Sequence, residues 1–368
     1  MGTAAADHLA RRGVAVLGLE QFGIPHSQGS SHGFSRMIRM AYYEHPDYVP
    51  LLRRAYELWY ELERRSEQKL LYVTGGIYMG PPQGHVVSGA LKAAKLHGLE
   101  HQLLGPDELA RRFAAFRLPS DHVGVWEPMA GFLLPERVIA VHAESALRAG
   151  AELHGQETVL QWKAQQRGVL VKTSRGEYSA ERLLFCGGAW SGKLLRELGV
   201  EMKVTRQPLG WVWPGRPDLF GLGKLTVWGI EQPDGSLAYG FPMMNDVPGL
   251  KVARHAPGTV VDPDHIVREP LEGDEREVRQ IIDRYLPDGD GPLLSLRICM
   301  YTNSPDGHFI IDRLPGHDNV TIACGFSGHG FKFASVMGEV LADLAIDGKT
   351  NLPVQFLGLH RFNSSLKS

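Results

Sequence analysis

Cysteine, net charge and long apolar runs are all scarce in this chain of 368 residues. The three cysteines, Cys186, Cys299 and Cys324, are too few and too scattered for a disulfide framework or a zinc site. A formal net charge of -2 gives no basis for binding nucleic acid or an anionic membrane surface. No stretch approaches the ~20 apolar residues that cross a bilayer. The composition predicts a soluble cytoplasmic protein without a metal site.

The segment 320–346 carries the strongest local signal. An apolar run at 320–323 predicts a buried strand, and apolar residues at helical spacing follow from 331 to 346. Between them lie three glycines: Gly325, Gly328 and Gly330. Such a turn lets backbone amides approach an anionic group, for example a reduced flavin ring or a pyrophosphate. A turn that only packs the helix on the sheet is the alternative, but Lys332 favours a binding site, because a cation there opposes the helix dipole.

The N-terminal segment looks like the second half of a dinucleotide-binding βαβ unit. Residues 2–12 predict a helix, and residues 14–20 predict a buried strand that ends in an acidic residue. Gly2 takes the place of the third glycine of G-x-G-x-x-G, and Glu20 follows at roughly the 20-residue spacing expected of a ribose-binding carboxylate. The strand and the two glycines that should come before are not in the sequence.

Four blocks together resemble the monomeric sarcosine oxidase family, which includes N-methyltryptophan and pipecolate oxidases. They agree with it in order and spacing, and the similarity runs from Gly2 to about Phe362. The blocks are Pro25-His-Ser-Gln-Gly-Ser-Ser-His-Gly-Phe-Ser-Arg-Met-Ile-Arg39, Tyr239-Gly-Phe-Pro242 with Gly249-Leu-Lys-Val-Ala-Arg-His255, Cys299-Met-Tyr-Thr-Asn-Ser-Pro-Asp306, and the strand–turn–helix at 320–335.

The resemblance implies a mixed α/β fold in two interleaved domains. A discontinuous Rossmann-like FAD-binding domain would comprise residues 1–69, 140–203 and 306–368. A substrate domain built on an antiparallel sheet would comprise 70–139 and 204–305. The chain would then lack roughly the first ten residues of the family, including the first strand of the βαβ unit. The family also implies a monomer.

Hydrophobic periodicity supplies the remaining elements. Residues 48–65 and 137–149 have helical spacing. Residues 70–79, 123–134, 152–161 and 169–173 are strand-like, and 183–186 predicts a buried strand. A turn with Gly187, Gly188 and Trp190 then leads into a helix at 191–198. Residues 207–297 are interpreted as mostly strand-like, with glycine and proline turns.

Cys299 has two interpretations. A lone cysteine after an apolar stretch is usually an inert, small hydrophobic residue. The resemblance instead implies a thioether between its sulfur and the flavin ring. It also places Arg36 over the flavin and Lys251 against it, where a fixed positive charge favours the reaction with dioxygen. Phe34-Ser35 stands where close sarcosine oxidases have Asp-Thr.

The substrate and cofactor residues follow from the same resemblance. Arg39 and Lys332 would hold a substrate carboxylate, while Tyr239, His255 and Tyr301 would line the substrate side and favour the unprotonated amine. A solvated lysine remains the alternative interpretation of Lys251, and a half-buried strand tyrosine remains that of Tyr301. The remaining cofactor-binding candidates are Gly2, Glu20, Ser30, Ser35, Gly187, Gly188, Trp190, Gly325, Gly328, His329 and Gly330.

The predicted function is an FAD-dependent oxidase of secondary amino acids, in which hydride passes to covalent flavin and dioxygen gives hydrogen peroxide. Two alternatives stand beside it. One is a flavin dehydrogenase that uses another electron acceptor, against which Lys251 argues. The other is an inactive homologue without FAD, suggested by the absent first strand.

Overall fold

A computed structural model of the protein describes residues 1–195, 198–247 and 249–362. The fold is mixed α/β, as the sequence predicted. Its helices are α1 (Gly2–Arg11), α2 (Tyr48–Ser66), α3 (His85–His97), α4 (Pro106–Arg112), α5 (Pro135–Arg148), α6 (Ser191–Leu194), α7 (Glu272–Tyr285) and α8 (Ala334–Ile346). Within the described residues no helix is both long and apolar enough to span a bilayer.

In the described part of the chain the strands form five sheets. They are β1 (Leu17–Leu19), β2 (Arg36–Ile38), β3 (Leu71–Val73), β4 (Gly76–Gly80), β5 (Gln102–Leu104), β6 (Val123–Glu127), β7 (Gly131–Leu133), β8 (Glu152–His154), β9 (Val159–Ala164), β10 (Val169–Thr173), β11 (Glu177–Ala180), β12 (Leu183–Phe185), β13 (Lys203–Val212), β14 (Val227–Glu231), β15 (Leu237–Phe241), β16 (Leu250–His255), β17 (Thr259–Val260), β18 (Leu293–Asn303), β19 (Ile310–Leu314) and β20 (His317–Cys324).

Apart from the parallel pairing of β4 with β14, the parallel strands lie in two separate small sheets. β1 pairs in parallel with β8, and β12 pairs in parallel with β20, whose other neighbour is the antiparallel β19. α1 packs against both α5 and α8. Within the described residues, β1 and β12 each have one hydrogen-bonded neighbour. Each therefore leaves one backbone edge unpaired.

A nine-stranded mixed sheet forms the other large layer and carries most of the predicted site residues. Its order is β17-β13-β16-β15-β14-β4-β6-β5, and β18 pairs with β13 along nearly its whole length. β15, β16 and β18 bring together segments that are far apart in the sequence. The small sheet β2-β7-β3 supplies the strand that holds Arg36.

One detail of the sequence-based prediction is wrong, and another lies partly outside the described residues. The stretch 207–297, interpreted as mostly strand-like, contains α7, which packs on β13 and β16. Its apolar residues, including Val278 and Ile282, have helical spacing, and the Asp274 carboxylate accepts the Leu271 amide at 2.7 Å to cap the helix. The helix predicted at 191–198 is described only as Ser191–Leu194, and residues 196 and 197 lie outside the described part.

Other predicted elements are confirmed with adjusted bounds. The apolar stripe of α2 is buried, with Leu52 and Trp59 fully enclosed. The final helix begins with a 3₁₀ turn, Phe331–Phe333, before α8. Arg36 lies in strand β2 and Arg39 just beyond it. The extended backbone separates their side chains, which a helix would have placed on one face.

Candidate active site

Cys299 lies in the middle of β18, opposite Gln207 of β13, and is buried. Its Sγ is 3.4 Å from Nη2 of Arg36 and 3.6 Å from the carbonyl oxygen of Ser30. The same Arg36 guanidinium donates to the Ser30 and Ser35 carbonyl oxygens at 2.9 and 2.8 Å. The structure thus brings Cys299, Arg36 and the 30–35 loop together.

Lys251 lies on β16 with its ammonium group buried against the same loop. Nζ donates to the carbonyl oxygens of Gly33 and Ser35 at 2.7 and 2.8 Å, and to the Ser35 hydroxyl at 3.1 Å. Burial lowers the pKa of Lys251, and Arg36 lowers it further, whereas Cys299 and Glu136 oppose the shift. Three acceptors around Nζ match the three N–H donors of an ammonium group. We therefore describe Lys251 as charged.

Three aromatic residues from strands β15, β16 and β18 lie on one side of the nine-stranded sheet. Nδ1 of His255 is 3.2 Å from the hydroxyl of Tyr301, and Tyr239 lies one strand away from His255 on β15. Burial lowers the pKa of His255 to about 4. Burial also raises the pKa of Tyr301 and of Tyr239. At neutral pH all three groups are uncharged, which suits a pocket for an unprotonated amine.

Arg39 lies among aromatic rings at the other end of β2. Its Cζ is 4.2 Å from the ring centroids of both Tyr42 and Tyr43, and 5.3 Å from that of Tyr78. Nζ of Lys332 is 5.2 Å from the centroid of the Tyr42 ring and donates to the His329 carbonyl oxygen at 2.7 Å. The two predicted carboxylate-binding cations therefore face one ring.

Glu44 is a residue of this region that the sequence analysis missed. Nη2 of Arg39 is 2.5 Å from each of the Glu44 carboxylate oxygens. Burial alone would raise the pKa of Glu44, but Arg39 lowers it to about 2. Burial, followed by Arg39, lowers the pKa of Lys332 to about 7, and Glu44 opposes that shift. The protein thus supplies its own carboxylate to the predicted clamp.

The glycine turn after β20 adopts the conformations that its composition suggested. Gly325 and Gly328 have φ of 62° and 78°. A Cβ on Gly328 would lie 2.6 Å from the Tyr301 ring, so only glycine fits there. His329 uses both ring nitrogens within the protein, since Nδ1 is 2.5 Å from the Tyr42 hydroxyl and Nε2 is 3.0 Å from the Gly307 carbonyl oxygen. Gly330 is close-packed against Phe326.

The remaining predicted residues lie near the start of α1 and the ends of β1 and β12, and the turn that holds Trp190 packs against β18. Gly2 begins α1 beside Cys186, and the Glu20 carboxylate accepts the Phe22 amide at 2.9 Å. Trp190 donates to Asp264 at 2.6 Å. Gly187 packs on Phe185, while Gly188 has φ of 53° and open space around its Cα. Glu20 follows the carboxyl end of β1, and the turn at 187–190 follows that of β12. Nucleotides bind at such strand ends in α/β sheets.

The chain is similar in sequence to known FAD-dependent oxidoreductases. Residues 1–344 match the family model described as FAD dependent oxidoreductase. The chain is 42% identical to a monomeric sarcosine oxidase of Streptomyces avermitilis, covering 96% of this chain and 93% of that protein. It is 36% identical to N-methyl-L-tryptophan oxidase of Escherichia coli K12, over 98% of this chain and 96% of that one. The chain belongs to the monomeric sarcosine oxidase family of FAD-dependent oxidoreductases.

Solved structures support the fold of this flavoprotein. NikD, an amino acid oxidase essential for nikkomycin biosynthesis, superposes with a TM-score of 0.83 at 24% identity, covering 97% of this chain and 94% of that one. L-proline dehydrogenase from P. horikoshii gives 0.81 at 21% identity, covering 99% and 95%. These structures confirm the mixed α/β architecture, and the sequence relatives confirm the family recognised from four sequence blocks.

Buried polar atoms without partners in the protein fit a cofactor at this FAD-dependent oxidoreductase's Cys299. Within the described residues, both ring nitrogens of His32 lack a hydrogen-bond partner, as does Nη1 of Arg268. Burial, followed by Arg36 and Lys251, lowers the pKa of His32 to about 3. Burial lowers the pKa of Arg268 and Cys299 opposes that shift, so both side chains belong to the Cys299 region. Unpaired buried donors are costly. The acceptor-rich ring system of FAD would satisfy them, and sequence reasoning had missed both residues.

Proposed function

We propose that this protein oxidises a secondary amino acid, such as an N-methyl or cyclic amino acid, with dioxygen as the electron acceptor. FAD held near Cys299, Arg36 and Lys251 would supply the redox chemistry: it would accept a hydride from the carbon beside the amine nitrogen, leaving an imine, and two electrons and two protons would then convert dioxygen to hydrogen peroxide. The observation that carries the proposal is the arrangement of two buried cations, Arg39 and Lys332, around the Tyr42 ring. Two cations on one carboxylate orient a substrate and supply much of its binding energy.

The protein groups divide the work between binding and charge stabilisation. Arg39 and Lys332 hold the carboxylate. His255, Tyr301 and Tyr239, all neutral at pH 7, shape the amine pocket and disfavour a protonated amine within it. Lys251 and Arg36 place positive charge where negative charge develops. Ser30, Ser35, Gly325, Gly328, Gly330 and His329 would shape the flavin-ring end, and Gly2, Glu20, Gly187, Gly188 and Trp190 the nucleotide end.

The proposal assigns the parallel pieces and the nine-stranded sheet to different tasks. We propose that residues 1–69, 140–203 and 306–368 bind FAD and that 70–139 and 204–305 form the substrate part, in a monomer. A screen of sarcosine, N-methyltryptophan, pipecolate and proline with peroxide detection tests the function. Peroxide formed in proportion to oxygen consumed supports an oxidase. Substrate-dependent bleaching of the flavin without peroxide indicates a dehydrogenase, and absence of flavin absorbance indicates an inactive homologue.

The covalent role proposed for Cys299 has a direct test. We expect flavin to stay with the acid-precipitated protein. Sγ of Cys299 lies beside Arg36, and the flavin ring would supply partners for the buried His32 and Arg268 atoms of this region. Cys299→Ala should release the colour into the supernatant, whereas Cys324→Ala, a change at another buried cysteine, should not. Yellow supernatant over a colourless pellet for the unmodified protein contradicts the covalent link.

The carboxylate clamp predicts a loss of substrate affinity on removal of Arg39. In Arg39→Met we expect binding of sarcosine or pipecolate to weaken by about 2–5 kcal/mol, because the substrate carboxylate is left under-paired. The variant also leaves Glu44 buried without its partner, so the double variant Arg39→Met/Glu44→Gln separates stability from binding. Affinity equal to that of the unmodified enzyme in either variant refutes the clamp. The methyl ester of the substrate serves as a control, because it should lose little.

Glu44 predicts the opposite change. The Glu44 carboxylate already binds the Arg39 guanidinium, so a substrate carboxylate must displace Glu44 or share the guanidinium with it. We expect Glu44→Gln to bind amino-acid substrates roughly tenfold more tightly, or ~1.4 kcal/mol. Glu57→Gln, which removes an exposed carboxylate paired with Arg54, is the matched control and should change nothing. Weaker binding in Glu44→Gln would show that Glu44 supports the substrate instead of competing with it.

A further inference from the structure

The Gly33–Ser35 turn has an unusual backbone. The Ser35 amide donates to the Gly33 carbonyl oxygen at 2.8 Å, which closes a three-residue turn around Phe34. Phe34 has φ of 66° and Gly33 has φ of 94°. A γ-turn with positive φ at its central residue is rare and strained, and a phenylalanine there gains nothing from the freedom of glycine. Such a conformation persists only where surrounding groups fix it.

Glu136 fixes the amide side of this turn. It is the second residue of α5, far from the turn in sequence. Its Oε1 accepts the Gly33 amide at 2.6 Å, and Oε1 and Oε2 lie 3.1 and 3.2 Å from the Phe34 amide nitrogen. Two successive backbone N–H groups thus converge on one carboxylate, an arrangement that stabilises negative charge.

Two cations fix the carbonyl side. Lys251 donates to the Gly33 and Ser35 carbonyl oxygens and to the Ser35 hydroxyl at 2.7, 2.8 and 3.1 Å. Arg36 adds a second donor to the Ser35 carbonyl oxygen at 2.8 Å. Lys251 and Ser35 are 3% and 1% exposed, so water does not compete for these bonds. The turn is held between one negative group and two positive groups.

We propose that Glu136 is a positioning residue, which locks the 33–35 turn and thereby sets where the Lys251 ammonium and the Arg36 guanidinium stand at the flavin end of the site. All three N–H donors of the Lys251 ammonium form hydrogen bonds with this turn. If the turn relaxes, the ammonium loses the acceptors that hold it in place. Glu136 binds the amides of the turn and Lys251 binds its carbonyl oxygens, so both side chains hold the same turn. The link to oxygen chemistry rests on the proposed function, whereas the lock itself does not.

Hydrogen exchange in the FAD-free protein tests the lock directly. We expect the peptide covering 30–38 to exchange about tenfold faster in Glu136→Gln and in Lys251→Met than in the unmodified chain. The double variant should exchange no faster than the faster single variant, because both groups hold one turn. Glu144→Gln, a neutralised carboxylate on the same helix that pairs only with exposed Arg148 in the described residues, should leave the peptide unchanged. Unchanged exchange in Glu136→Gln, or additive effects in the double variant, overturns the proposal.

Half-reaction kinetics then separate positioning from general damage. In the flavin-loaded enzyme, Glu136→Gln should slow reoxidation by oxygen about tenfold while substrate affinity stays within about twofold, since Arg39 lies beyond the turn. If exchange is faster but flavin reoxidation keeps the rate of the unmodified enzyme, Glu136 does not set the position of Lys251 for the reaction with oxygen. If the loaded protein oxidises no amine but the exchange results hold, the proposed function fails and the lock stands.

Discussion

Lys251→Met should slow the reaction of the reduced enzyme with oxygen by roughly 10²–10³, as expected when one preorganised charge is removed from a buried site. The reductive half-reaction should change far less, because hydride leaves a neutral amine and develops little negative charge near Nζ. Among the residues that the structure describes, no carboxylate contacts Lys251 directly, and its Nζ lies over the rings of Phe241 and Trp211, at 4.7 and 5.3 Å from their centroids. Its charge is therefore poorly screened.

Stopped-flow measurement of the two half-reactions separates these effects. Anaerobic mixing with substrate gives the reduction rate, and mixing of the reduced enzyme with oxygen gives the reoxidation rate. Lys163→Met, at an exposed position of β9, is the control for loss of one lysine charge. Equal slowing of both half-reactions would show that Lys251 acts by holding the 33–35 turn. It would contradict a specific role of its charge in the reaction with oxygen.

Most of the site could be predicted because its residues fall in recognisable blocks. Cys299, Lys251, Tyr239 and His255 lie on β15, β16 and β18, which are neighbours or next neighbours in one sheet through β13. The blocks identify the residues, but the distances depend on strand register. Register follows from pairings such as Gln207 with Cys299, between segments that no local pattern connects.

The residues that were missed act over long sequence separations. Glu136 binds amides more than a hundred positions away, and Glu127 accepts the Met40 and Ala41 amides at 3.1 and 2.7 Å in the same manner. Together they hold both ends of the segment that carries Arg36 and Arg39. A glutamate in the first turn of a helix is ordinarily explained by the dipole, and a glutamate at a strand end by solvent, so neither has a local signature.

Glu44 was missed for a different reason. Five positions after Arg39, in a stretch without helical or strand periodicity, an acidic residue is ordinarily assigned to a solvated loop. Its burial follows from the aromatic rings of Tyr42, Tyr43 and Tyr78 that enclose the guanidinium. α7 was missed because Pro270 and Gly273 lie at its start, and proline and glycine are typical of turns between strands. The helical spacing of its apolar residues begins only after them.

The two separate parallel pieces predict a large gain from one added strand. β1 and β12 each leave one edge unpaired within the described residues, and Leu17 of β1 is 37% exposed. Joining before Met1 a strand of apolar residues that ends in Gly-x-Gly should complete a continuous parallel sheet over α1. Its turn would add amides at the N-terminus of α1, where a pyrophosphate binds.

We expect the extended protein to bind flavin stoichiometrically and to melt several degrees higher, since each ~1 kcal/mol raises Tm by a few degrees in a protein of this size. A control extension with the same strand ending in Ala-x-Ala should raise Tm but not flavin content, because the added Cβ atoms keep the backbone away from the pyrophosphate. A second control with a polar, proline-containing extension should raise neither, since it cannot pair with two strand edges. If the 368-residue chain already carries stoichiometric flavin and gains nothing from the strand, the unpaired edges of β1 and β12 have no part in cofactor binding.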